Sequence, residues 1–235
     1  MFEVNETQYG KILSKQSKNL VIYLHGLISQ PFNHTGVAIL NLIKHENLDY
    51  DVLGFQLHDA KGFLTTTVEK QAENLNQAIM DFSQSGYENI YIIASSYGSL
   101  TALVANNVNV KKQCFLLPSL VVDEGWRQTP REKVIFNDKE YFSSFYKSNV
   151  PVMFSEEFLN DGISFTEVKS QNLVDSLKVE TLFCHGADDG YFHLSKNIGY
   201  SNPNCSMTVL GKYSHDVLDR DKLDLLVKYA FDYFK

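Results

Sequence analysis

"NIYIIASSYGSL", residues Asn89 to Leu100, runs from an apolar stretch of strand length into three serines and on into "SLTALVA", which reads as the start of a helix. The run Ile90 to Ala94 lacks polar alternation, as expected of a parallel strand covered on both faces. Serines after such a strand have an ordinary reading as turn residues. They have a chemical reading if one of them stands on a tight strand-to-helix turn. That turn needs small residues two positions before and after, because a larger side chain clashes where the backbone folds back. Ser95 has Ile93 and Tyr97 at those positions, and Ser99 has Tyr97 and Thr101. Ser96 alone has Ala94 and Gly98. Ser96 is therefore the candidate nucleophile, with its hydroxyl near the positive end of the following helix.

Working outward, apolar runs of similar length recur at Leu20 to Leu24, Asp51 to Leu57, Cys114 to Pro118, Thr181 to Cys184 and Ser206 to Leu210. Helical patterns lie between them. Val68, Ala72, Leu75, Ile79 and Phe82 fall on one helix stripe, with Gly86 as its stop, and Leu223, Val227, Ala230 and Phe234 form another in a closing helix. Strands alternating with helices predict an α/β fold with a mostly parallel central sheet flanked by helices. "MFEVN" and "GKILSK" predict a hairpin at one sheet edge.

The chain has 235 residues, 44% of them hydrophobic, which suits a single α/β domain over residues 1–235. Its formal net charge is -7 and contains no long basic run, which argues against a nucleic-acid partner. No stretch of about 18 apolar residues predicts a membrane span, and "MFEVNETQYGKILSKQSKN" does not read as a secretory signal, so a cytoplasmic location is expected. Cys114, Cys184 and Cys205 show no CxxC spacing and read as reduced thiols, mostly buried. No metal or cofactor is expected. The sequence leaves the oligomeric state open.

One segment departs from the strand–helix rhythm. About sixty residues separate the run ending at Pro118 from the one beginning near Val179, too many for a simple crossover. Nine of the forty positions from Trp126 to Phe165 are aromatic: Trp126, Phe136, Tyr141, Phe142, Phe145, Tyr146, Phe154, Phe158 and Phe165. The whole-chain share of 13% would give about five, so this insertion has an apolar surface of its own. It is expected either to cap a site or simply to pack on itself.

A serine hydroxyl needs a base to take its proton during attack, usually a histidine oriented by a carboxylate. With the nucleophile on a strand–turn–helix, the acid and then the base follow it in the chain, leaving His185, His193 and His215. His215, in "LGKYSHDVLD", stands in a loop after the last strand, at the carboxyl edge where sites in such sheets form, and is the candidate base. His185 and His193 read as packing or loop-shaping residues, and His34, His45 and His58 as surface or loop residues. "TLFCHGADDGYF" offers Asp188 and Asp189 past the preceding strand. Gly186 turns the chain out of the sheet, so the acid three positions later, Asp189, is preferred over Asp188, with Asp123 in reserve. Either aspartate also suits a helix cap. Two N–H donors would hold an oxyanion: that of Tyr97, next to the nucleophile, and that of Leu27, where "HGL" turns at Gly26.

"LHGL", "ASSYGS", "HGADD" and "GKYSHD", in that order at strand ends, resemble the α/β-hydrolase family over residues 20 to 234, apart from the insertion. The resemblance implies an α/β-hydrolase fold, Ser96, Asp189 and His215 as a catalytic triad, Leu27 and Tyr97 as oxyanion-hole donors, and the insertion, at about residues 122–176, as a small cap. It is closest to small serine esterases and acyl-thioesterases. The implied substrate is a small-molecule ester or thioester with an apolar acyl or aryl group. An acyltransferase using the same triad, or a binding or signalling protein on the same fold, is a further reading. The sequence departs from the family pattern in having Ala94 at the first small position, "HDAKGF" where many members carry a Gly-His-Gly turn, and no HGGG run.

Overall fold

The computed structural model describes residues 3–58, 63–122, 131–147 and 150–235. Asp123 and Trp126, singled out above, lie outside the described residues. In chain order the elements are β1 (Glu3–Thr7), β2 (Gly10–Ser14), β3 (Asn19–Leu24), α1 (His34–His45), β4 (Asp51–Phe55), β5 (Phe63–Leu64), α2 (Val68–Gln84), β6 (Asn89–Ser95), α3 (Gly98–Ala105) and β7 (Lys112–Leu116). They continue with β8 (Glu132–Phe136), β9 (Lys139–Lys147), β10 (Val150–Phe154), α4 (Glu156–Ser164), α5 (Glu167–Asp175), β11 (Glu180–Gly186), α6 (Gly190–Leu194), β12 (Cys205–Leu210) and α7 (Arg220–Phe234).

The main sheet has the order β1-β2-β4-β3-β6-β7-β11-β12. From β4 to β12 every neighbouring pair is parallel; β1 and β2 form the antiparallel edge hairpin. Period-two alternation splits each central strand between two cores. Along β3, Leu20, Ile22 and Leu24 face the side covered by α2 and α3, while Val21 and Tyr23 face α1 and α7. Both faces being covered is why these strands read as unbroken apolar runs.

Helix starts follow the local chemistry. Asn33, Thr67, Ser155, Thr166 and Asp219 each accept a backbone N–H of the first turn with their side chain. Val68, Ala72, Leu75 and Ile79 of α2 are buried as its stripe predicts, and Gly86 past the helix end has a φ of +107°.

A second sheet, which the sequence reading did not anticipate, is ordered β5-β10-β9-β8 and takes three of its strands from the insertion. β8 and β9 form a hairpin through Asn137 and Asp138, both at positive φ, as a two-residue primed turn requires. β5, from the loop after β4, pairs in parallel with β10, so this sheet is tied to the main body. Val152, Phe154, Phe158, Leu159 and Phe165 bury themselves against Leu64, Val68, Tyr97 and Leu100. Asp161 of α4 accepts the Val68 N–H at the start of α2, 2.6 Å away. Among the described residues no helix is long and apolar enough to cross a membrane.

Candidate active site

The parallel strands deliver their loops to one edge of the sheet, and the sequence-selected residues meet there. Ser96 follows β6 directly, with a φ of +52°, in the left-handed region that costs a side-chain-bearing residue about 1–2 kcal/mol. The neighbours explain how the turn closes. A Cβ on Gly98 would stand 2.6 Å from the His25 carbonyl oxygen and 2.8 Å from that of Leu24, so only glycine lets α3 begin so close to the end of β3. Ala94 is fully buried at the other small position. Of the other two serines, Ser95 pairs its hydroxyl with Tyr23 Oη at 3.0 Å, and Ser99 is buried in α3.

The Ser96 hydroxyl lies 2.7 Å from His215 Nε2, and His215 Nδ1 lies 3.0 Å from Asp189 Oδ2. A carboxylate on Nδ1 sets the tautomer: Nδ1–H donates to Asp189, leaving Nε2 to accept the Ser96 proton. Asp189 is wholly buried and also caps α6, accepting the Tyr191 N–H on Oδ1 at 2.8 Å. The cap and orienting readings thus coexist in one carboxylate, one oxygen each. Asp188 is exposed and gives its N–H to the Tyr213 carbonyl.

The loops bearing acid and histidine are registered by their backbones. Ala187 N–H donates to the Leu210 carbonyl at 2.9 Å, and Asp188 N–H to that of Tyr213 at 3.1 Å. A Cβ on Gly186 would stand 2.2 Å from the same Tyr213 oxygen, so the two loops meet through a glycine. Tyr191 contributes twice: its N–H holds Asp189, and its ring lies 4.3 Å, centroid to centroid, from the His215 imidazole.

The other histidines do not reach Ser96. His185 is buried and pairs Nε2 with Tyr200 Oη at 2.7 Å; burial pushes its pKa down to about 4 against a weaker opposing pull from Asp189. His193 is exposed on α6. His58 lies in a loop, as the sequence reading allowed, and is buried there against the rings of His25, Tyr97 and Phe158. Burial, helped by the neighbouring His25, lowers its pKa to about 3, so its imidazole is neutral.

The loop expected to hold an oxyanion passes directly beside Ser96. Gly26 to Ser29 forms a turn closed by Ser29 N–H on the Gly26 carbonyl at 3.2 Å, with Ile28 at a φ of +55°. A Cβ on Gly26 would lie 3.2 Å from that of Ser96, and His25 Nδ1 holds the Gly26 carbonyl at 2.8 Å. Leu27 and Tyr97 sit on either side of this contact, and among the described residues neither N–H is engaged in a hydrogen bond. Sequence reasoning missed one close neighbour, Ser119, whose Oγ is 3.3 Å from Ser96 Oγ. No motif marks it; only the pairing of β6 with β7 brings it there. Cys114 and Cys184, on adjacent strands, are buried thiols with sulfurs 3.8 Å apart, and Cys205 is half-buried. Among the described residues no three His, Cys, Asp or Glu side chains gather as metal ligands.

Sheet order, edge hairpin and elbow together define the α/β-hydrolase fold, and solved structures agree. Est1E from Butyrivibrio proteoclasticus superposes with a TM-score of 0.68 at 15% identity, covering 99% of this chain and 97% of its own. A monoacylglycerol lipase from Paleococcus ferrophilus gives 0.63 at 14% identity over 97% and 100% of the two chains. Dienelactone hydrolase from Anabaena variabilis gives 0.66 at 11% over 100% and 96%. The chain belongs to the uncharacterised protein family UPF0227, whose model matches residues 20–148, a span that includes Ser96 and ends before Asp189 and His215. No curated protein matches the chain.

Proposed function

We propose that this protein is a serine hydrolase of carboxylic esters with a small to medium apolar acyl or aryl group, working through an acyl-enzyme on Ser96. The observation that carries the proposal is the continuous relay of Ser96 Oγ, His215 and Asp189 at 2.7 and 3.0 Å. In the first half-reaction the Ser96 proton passes to His215 Nε2 while Oγ bonds to the ester carbon. The carbonyl electron pair moves onto oxygen, held by the N–H groups of Leu27 and Tyr97. Collapse of that intermediate expels the alcohol with the proton from His215. A water, deprotonated by His215, then repeats the sequence and releases the acid. Asp189 holds the imidazole in register.

The insertion supplies the apolar character of the substrate in this reading. Phe154, Phe158 and Phe165 pack with Tyr97, so the wall beside the proposed oxyanion donor is aromatic, and residues of about 122–176 act as a small cap. The similar structures include an esterase domain from Rhodothermus marinus and the monoacylglycerol lipase, which supports ester chemistry as the first activity to assay.

The test is labelling with a fluorophosphonate, which requires an activated serine. Wild type should label at Ser96, and Ser96→Ala should be folded and silent. Labelling that persists in Ser96→Ala rejects the assignment. An unlabelled wild type that binds an apolar ester without turning it over supports a ligand-binding role instead. Matched p-nitrophenyl esters and acyl-CoA thioesters of graded length then decide between esterase and thioesterase or acyltransferase action.

A further inference from the structure

The loop that follows β7 is built around Ser96. Leu117 takes a φ of +49°, a left-handed conformation unusual for a branched side chain and typical of segments held for a purpose. Its N–H is fixed on the Cys184 carbonyl of β11 at 2.8 Å, and on the other side the Ser170 hydroxyl of α5 donates to the Leu120 carbonyl. Between these anchors, Ser119 touches the nucleophile residue twice. Its N–H donates to the Ser96 carbonyl at 3.3 Å, and its hydroxyl oxygen lies 3.3 Å from Ser96 Oγ. Ser119 is only 6% exposed.

The direction of the side-chain bond follows from proton counting. Ser96 has one hydroxyl proton, and the shorter contact, 2.7 Å to His215 Nε2, takes it. The Ser119 hydroxyl must then be the donor, onto a lone pair of Ser96 Oγ. We propose that Ser119 is a further catalytic residue, whose hydroxyl donates to Ser96 Oγ and holds that oxygen in the rotamer that gives its proton to His215. The inference rests on the reading of Ser96 as nucleophile. During attack the Oγ–carbon bond forms, the carbonyl pair moves to oxygen and the Ser96 proton goes to His215; Ser119 keeps its own proton throughout. In the acyl-enzyme Oγ has become an ester oxygen, a poorer acceptor. Ser119 therefore assists acylation and is idle while water attacks the acyl carbon, the slow step of deacylation; Oγ becomes its acceptor again only afterwards, as that oxygen leaves with the proton from His215.

That asymmetry gives a readout which general packing would not produce. The rate of fluorophosphonate labelling reports attack by Ser96 alone, and decay of acyl-enzyme isolated after brief exposure to p-nitrophenyl acetate reports deacylation alone. Ser119→Ala keeps the backbone N–H, and Ser119→Cys nearly keeps the volume with a weak donor. Both should label about fivefold more slowly, the rate equivalent of one ordinary net hydrogen bond, with deacylation unchanged. Labelling of either folded variant at the wild-type rate overturns the proposal, as does an equal slowing of deacylation. An unlabelled wild type would instead refute the nucleophile assignment itself, so the two failures are distinguishable.

Discussion

Gly186→Ala tests whether the geometry at Ser96 is set by the register of two loops, because it leaves all three relay side chains untouched. The added Cβ would stand 2.2 Å from the Tyr213 carbonyl oxygen, where ordinary contact begins at 3.4 Å. Neither partner is a flexible side-chain end: one is the last residue of β11, the other a backbone carbonyl two residues before His215. Relief therefore takes a displacement of about 1.2 Å between the loop carrying Asp189 and the loop carrying His215. A misplacement of about 1 Å in a catalytic constellation is enough to lower a rate about 100-fold. The strain itself is that of an overpacked core, about 1–3 kcal/mol, and in a chain of this size each kcal/mol lowers the melting temperature by about 2–4 °C. The expected result is a folded variant with kcat for a p-nitrophenyl ester down about 100-fold and slowed fluorophosphonate labelling. Gly211→Ala is the matched control in the His215 loop, since its Cβ would meet nothing within 4 Å, and its kcat should stay at the wild-type value. A Gly186→Ala protein retaining kcat within about threefold would refute the idea that this backbone contact fixes the relay.

Two further outcomes are expected. His215→Ala should lose at least about 1,000-fold in kcat, while His193→Ala, whose exposed ring does not reach Ser96, should stay near wild type; equal losses would reject His215 as the base. His58 titrates near 6.5 in an unfolded chain and about 3 in the folded one. Between those values the unfolded chain binds a proton that the native state does not, so stability is intact above about pH 6.5 and falls as pH drops toward 3. His58→Leu removes that penalty and two buried nitrogens without partners, so its urea midpoint should exceed wild type by more at about pH 5 than at about pH 7.5. Parallel pH profiles of the two midpoints would show that His58 is not the titrating group.

The legible parts of this molecule were those set by local pattern. Buried parallel strands must be apolar on both faces, so β3, β6 and β11 were readable from "LVIYL", "IYIIA" and "TLFC" with only their polar ends lost. The elbow was readable because its backbone admits so few residues at Ala94 and Gly98. Asp189 and His215 were readable from chain order and strand-end position. The second sheet was not, because "VIFNDKEYF" has no glycine in its two-residue Asn-Asp turn and no period-two alternation in the runs that flank it. Ser119, Tyr191 and the burial of His58 were beyond local reading. Each depends on which distant segment lies alongside: β6 beside β7, the loop after β11 beside that after β12, and α4 over the loop after β4.

The two readings of the aromatic insertion, packing on itself or covering a site, turn out not to compete. Phe158 of α4 has its ring centroid 5.9 Å from Phe154 of β10, which is packing within the insertion. The same ring is 5.8 Å from Tyr97 and 6.3 Å from His58, both on the main body beside the elbow. Tyr97 is 5% exposed and shares one apolar cluster with Phe154, Phe158 and Phe165 of the insertion. Its backbone N–H is one of the two proposed oxyanion donors, and the φ and ψ that aim that N–H belong to a strained turn which must be held from outside. In the proposed reaction, aromatic burial under the insertion would therefore reach the oxyanion through one residue. Loosening Phe158 should weaken oxyanion stabilisation before it disturbs the relay of Ser96, His215 and Asp189, whose side-chain hydrogen bonds among the described residues involve no group of the insertion.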